Sequence, residues 1–113
     1  MARRGEVLVV RRKLGFGAEG KAEHFAVVQS DELKELETVL VAPLDVDGSL
    51  YDDDPLVVRI SPKEAGTRQP HVVLVHLVSA ALLDRFEPPH VARLSGVSMA
   101  KVDDALQVVL GLS

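Results

Sequence analysis

The chain has 113 residues, 47% of them hydrophobic, which suits one domain, spanning 1–113, built on a single core. It contains no cysteine, which excludes disulfide frameworks, thiolate metal sites and cysteine nucleophiles and fits a reducing cytoplasm. The net charge of −4 is uneven: residues 1–21 hold six cations against two acids, a net +4, and the remainder hold seven cations against fifteen acids, a net −8.

A basic end on an acidic body suggests an anionic partner, either nucleic acid or an acidic peptide. The plainer alternative is a solvated basic edge that resists aggregation. No apolar run approaches the roughly 18 residues of a membrane span, and MARRGEV lacks a signal-peptide core. The expectation is a soluble, cytoplasmic protein with no membrane partner.

In chain order, EVLVVRR (6–12) is β-branched and predicts a strand. LGFGAEGK (14–21) follows, with Gly15, Gly17 and Gly20 at G-x-G-x-x-G spacing. HFAVVQ (24–29) predicts a second strand, and Ser30 can cap a short helix over DELKE. TVLVAPL (38–44) predicts a third strand, stopped at DVDGS. PLVVRI (55–60) and HVVLVHL (71–77) predict two more, separated by the loop SPKEAGTRQP. Apolar runs of this kind point to strands buried on both faces or to a tightly rolled sheet.

The period then changes. Val102, Ala105, Leu106, Val109 and Leu110 form a helical stripe. Ser98 is the expected N-cap, with Val97 and Val102 as a hydrophobic staple and Gly111 as the stop. Five strands and a terminal helix make a small α+β or barrel-like domain.

Several chemistries fall away on spacing. A dinucleotide fingerprint needs a helix to start at the glycines, but the strand pattern AEHFAVVQ follows them. A kinase glycine loop does lie between strands, yet 113 residues cannot supply the rest of a kinase. The glycines remain a strand–strand connection able to approach a ligand closely, with Lys21 at its end. Asp52, Asp53 and Asp54, near Asp45 and Asp47, lack the EF-hand pattern and read as a solvated loop. His71 and His76, five apart on one strand, would point to opposite faces and share no metal. His76 reads as a core or interface residue and His90 as a loop residue. No G-x-S-x-G supports a serine hydrolase. No metal or cofactor is expected.

RRGEVLVV, GAEGK, a strand ending VVQSD, VLVAPL and the closing LSGVSMAKVDDALQVVLGL occur in this order. Together they resemble the MazF/PemK toxins of bacterial type II toxin–antitoxin modules. That resemblance implies an SH3-like small β-barrel with a C-terminal helix, mainly β, and a homodimer. It also implies metal-independent cleavage of single-stranded RNA (mRNA interferase activity) through the substrate's 2′-hydroxyl, inhibited by a cognate acidic antitoxin. Such chemistry needs a cation near the phosphate and groups that move protons. Arg12, Lys13, Gly17, Lys21 and Phe25 are the residues expected to bind RNA or antitoxin.

The expected catalytic positions depart from the family pattern. Glu23 stands where the resemblance places an arginine, His24 and Phe25 replace a proline and an alanine, and Asp45 replaces a threonine. Val75 to Ser79 (VHLVS) stand in place of L-D-Q-[IV]-R. Three functions follow. One is a divergent endoribonuclease in which Arg11, Arg12 or Lys21 supplies the cation and His24 moves protons. Another is a CcdB-like toxin of DNA gyrase, which FAVVQSD (25–31) also resembles, although the end LGLS lacks the tryptophan of that group. The third is an inactive relative that captures antitoxin.

Overall fold

The computed structural model describes residues 2–11, 23–48, 51 and 54–112, without the side chains of 89–91. Among them are seven strands: β1 (Glu6–Val10), β2 (His24–Val27), β3 (Thr38–Val46), β4 (Val57–Ile60), β5 (His71–Leu74), β6 (Ser79–Leu82) and β7 (Phe86–Arg93). Two helices, α1 (Pro62–Ala65) and α2 (Gly96–Val109), complete the fold. All strand pairs are antiparallel. They run β4-β5-β3-β2-β1-β7, with β6 also on β3. The fold is α+β and mainly β, a small barrel-like sheet of the SH3-like kind with a C-terminal helix.

The long strand β3 makes the sheet turn. Its first half pairs with β6 (Thr38 opposite Leu82, Val41 opposite Ser79). Its second half leaves β6 for β5 (Leu44 opposite Val73, Val46 opposite His71). Pro43 lies between the two partners, where its missing N–H breaks no ladder bond on that side. On the other edge of β3, Phe25 to Val27 of β2 stay in register with Pro43 to Val41.

Alternation sends successive side chains to opposite faces, and each face is buried. Val7, Ala26, Ala42 and Leu44 join Val58, Val73, Val102 and Ala105 in one core. Leu8, Val10, Val27, Val39 and Val41 join Phe86 in a second. This explains the unbroken apolar runs. Each fully buried valine contributes about 1.5–3 kcal/mol of burial free energy.

Several local expectations are corrected. β3 continues through Asp45 and Val46, and β5 stops at Leu74, followed by a 3-10 turn over Val75–Leu77. His71 is therefore buried at the start of a strand, while His76 is exposed in that turn rather than in the core. SPKEAGTRQP contains α1: Ser61 and Glu64 form a reciprocal capping box, and Gly66 at φ +74° ends the helix. Ser30 caps as expected, accepting from Glu32 N, although the element is a single 3-10 turn over Asp31–Leu33.

The strands β6 and β7 were not anticipated, and His90 belongs to β7 rather than a loop. Pro88 and Pro89 obscure β7 because they cannot donate to a ladder. The pairing accommodates them by a register shift, with Glu87 to Ala92 of β7 set against Val9 to Val7 of β1. The N-cap of α2 is Ser95, not Ser98: the Ser95 hydroxyl accepts from Ser98 N at 3.1 Å. Val97 is 71% exposed, so the expected staple to Val102 is not formed. Val102 packs into the core instead. Gly111 closes the helix at φ +71°, as expected.

Candidate functional site

The sheet ends bearing His24, Asp45 and Arg11 give those side chains three different partners. His24 opens β2 opposite Val9 of β1 and is half-buried. Its ring lies 6.0 Å from that of His71, tilted by 53°. Burial pushes the His24 pKa below 6.5, the His71 charge pushes it further down, and neighbouring Glu23 partly opposes both. A histidine in this setting is a neutral imidazole near neutral pH, with a nitrogen able to take a proton.

Glu23 precedes β2 and is exposed, its carbonyl accepting from Val10 N at 3.0 Å. In sequence order it stands where the family resemblance places an arginine. Asp45 is exposed on β3. One carboxylate oxygen accepts from Val46 N at 2.8 Å and the other from the Tyr51 hydroxyl at 2.5 Å. That hydrogen bond, followed by partial burial and the carboxylate charge, raises the Tyr51 pKa and keeps it a donor. Arg59 Nη2 donates to the Tyr51 carbonyl at 2.6 Å, and Arg59 Nε lies 3.4 Å from Asp47. Asp45 therefore belongs to a network that includes a cation unsuspected from sequence.

Arg11 leaves β1 exposed, its N–H donating to Arg85 O at 2.9 Å and its Nε to Phe86 O at 3.1 Å. The latter bond uses none of the Nη hydrogens. The residue borders a cavity of about 520 Å³ lined also by Lys34, Glu37, Leu82, Asp84 and Phe86. Phe25 faces the second core and meets Phe86 edge-on at 5.7 Å. With Thr38, Ala81 and Arg85, these two rings line a cavity of about 320 Å³.

The structure thus brings Glu23 and His24 together, adds His71 to them, and places Asp45, Arg11 and Phe25 in separate surroundings. Arg12, Lys13, Gly17 and Lys21 lie outside the described residues, as do the three motif glycines and Asp52 and Asp53. Among the described residues no group of three or more metal-ligating side chains forms a site, and no helix is long and apolar enough to cross a membrane. Sequence reasoning missed His71, Tyr51 and Arg59. Their only signal was residue type, because 24 meets 71 only across β3, which carries β2 on one edge and β5 on the other.

Solved structures share this architecture. An endoribonuclease from a mycobacterial species, solved in complex with its cognate antitoxin, superposes with a TM-score of 0.77 at 19% identity, covering 100% of this chain and 98% of that one. The Mycobacterium tuberculosis toxin MazF-mt6 gives 0.74 at 15% identity, over 96% and 98% of the two chains. MazF in a MazE–MazF complex from Deinococcus radiodurans gives 0.70 at 16% identity, over 99% and 98%. At these identities the likeness establishes the fold. No curated protein sequence matches the chain. A family profile, however, matches residues 3–110, nearly the whole chain. The protein belongs to the PemK-like, MazF-like toxins of type II toxin–antitoxin systems.

Proposed function

We propose that this protein is the toxin of a type II toxin–antitoxin module and a metal-independent endoribonuclease acting on single-stranded RNA. The observation that carries the reading is His24, a half-buried imidazole held neutral where the family resemblance places the reaction. In the proposed step His24 takes the proton of a ribose 2′-hydroxyl, whose oxygen attacks the adjacent phosphorus. The bond to the 5′-oxygen breaks, that oxygen takes a proton from water as it leaves, and His24 gives its own proton back to solvent. A 2′,3′-cyclic phosphate and a 5′-hydroxyl end result. Arg11 supplies positive charge from the end of β1, together with Arg12, Lys13 and Lys21. Gly17 and Phe25 complete the surface that holds RNA or antitoxin, and Asp45 orients through its bond to Tyr51. A homodimer and a cognate acidic antitoxin are the proposed partners, the latter suited to the basic first 21 residues.

The test is cleavage of mixed-sequence single-stranded RNA in a chelator, with His24→Ala expected to lower the rate by about 10²–10⁴-fold. Intact RNA at high concentration of folded protein would sink the reading. Tight binding of an acidic antitoxin peptide by that same inactive protein would instead establish an inactive, antitoxin-capturing relative. The gyrase alternative draws no support from the relatives above, and covalent gyrase–DNA complexes in treated extracts are the result that would revive it.

A further inference from the structure

His71 is absent from every motif that carries the family resemblance, yet it has the most constrained imidazole among the described residues. It opens β5 with only 7% of its surface exposed. Val46 and Ile60, both uncharged, flank it in the sheet. The loop between α1 and β5 holds its ring from behind: Nδ1 lies 2.9 Å from the Gln69 carbonyl oxygen and 3.2 Å from Thr67 Oγ1. The Thr67 hydroxyl donates to the same carbonyl at 2.8 Å. A carbonyl oxygen only accepts, so Nδ1 carries the hydrogen and the neutral ring keeps its lone pair on Nε2.

We propose that His71 is a positioning residue for His24: the clamped inner ring packs beside the outer one and disfavours a charge there, so that the outer imidazole stays available as a base toward RNA. The proposal rests on the ribonuclease reading above for its consequence, but not for its geometry. With ring centroids 6.0 Å apart in a half-buried setting, charge on the inner imidazole opposes protonation of His24. Glu23 is the acid beside His24 and favours the charged ring. Around His71, the charged neighbours Asp45 and Arg59 sit one position along β3 and β4 from Val46 and Ile60, on the alternate side of each strand; Asp47 follows the end of β3, and Arg68 is exposed in the clamping loop. The inner ring, being buried, acts through His24 and not on substrate.

The experiment is imidazole NMR on the full chain, with RNA turnover measured in parallel. In the folded protein His71 is expected as the Nδ1–H tautomer; the Nε2–H tautomer would overturn the clamp, and this reading needs no variant. In His71→Asn, whose amide can still donate to the Gln69 carbonyl, the His24 titration midpoint is expected to move up. A His24 midpoint unmoved in folded His71→Asn overturns the pair. In turnover, the acidic limb of the pH profile moves up with it and kcat falls about tenfold while KM holds, as loss of a proton-transfer geometry requires. Should the wild-type protein cleave no RNA, the ribonuclease reading fails, and the tautomer and the midpoint still decide the pair.

Discussion

Two polar junctions of this molecule use similar residues to opposite ends. At the helical end, Glu64 joins α1 to α2: its Oε1 accepts from Ser61 N at 3.0 Å and its Oε2 from Ser95 N at 2.9 Å. Burial pushes that carboxyl up, but the bonds from Ser61, Ser98 and Ser95 outweigh it and hold the pKa at about 2. At the sheet end, burial and a second imidazole push His24 down, and Glu23 only partly opposes them. One junction locks its charge in place with donors. The other keeps its imidazole neutral near neutral pH, free to take a proton.

The largest expected effect separates the two. His24→Ala lowers RNA cleavage by about 10²–10⁴-fold while leaving the urea midpoint nearly unchanged. Glu64→Ala does the reverse, retaining cleavage in the folded fraction. It removes acceptors from the N-termini of two helices, a loss of about 1–3 kcal/mol readable by urea unfolding.

Glu23→Arg sharpens the sheet-end half of the contrast. A carboxylate about 4 Å from a phosphate in a partly screened site repels it by a few kcal/mol, so reversing the charge should raise RNA cleavage tenfold or more. It also removes the group that favours protonated His24, so the acidic limb of the pH profile moves to lower pH. An unchanged rate would place Glu23 away from the phosphate path.

Gly66→Ala probes the helical end. The glycine is at φ +74°, and an added Cβ would lie 2.7 Å from Ala92 Cβ in β7. Left-handed backbone alone costs about 1–2 kcal/mol for a residue with a side chain, so thermal unfolding should shift by several degrees.

The smallest effect is in pH dependence. Folded His24 binds its proton less readily than the unfolded chain does, so protonation favours unfolding. Stability should therefore hold above the ordinary histidine value of 6.5 and decline as pH falls below it, and the decline should vanish in His24→Gln. Glu64 acts in a lower window, with its contribution complete above 4.5 and lost as pH falls toward about 2, a step expected to disappear in Glu64→Gln. Urea unfolding at a series of pH values separates the two windows.

Much of the fold was legible because short-range chemistry specified it. The β-branched runs at 6–10, 24–27 and 38–46 are strands, and the stripe from Val102 to Val109 is a helix. The capping box of Ser61 and Glu64 was equally legible but lay inside a stretch whose proline and glycine suggested a loop. β7 was hidden by Pro88 and Pro89, and only its partner β1 shows how the register shift absorbs them. The terminal helix starts at Ser95 rather than Ser98 because Glu64, thirty-one residues away, receives the Ser95 amide.

By itself the sequence determined the family and the strand-rich core, since each depends on residue order or local period. Which side chains meet was decided only by tertiary structure. His24 and His71 come together because β2 and β5 flank the same bent strand β3. Arg11 turns to the β7 backbone through a contact that depends on the pairing of β1 with β7. Antiparallel register is a long-range property set by how both faces of the sheet fill with valine and leucine, and no local pattern encodes it.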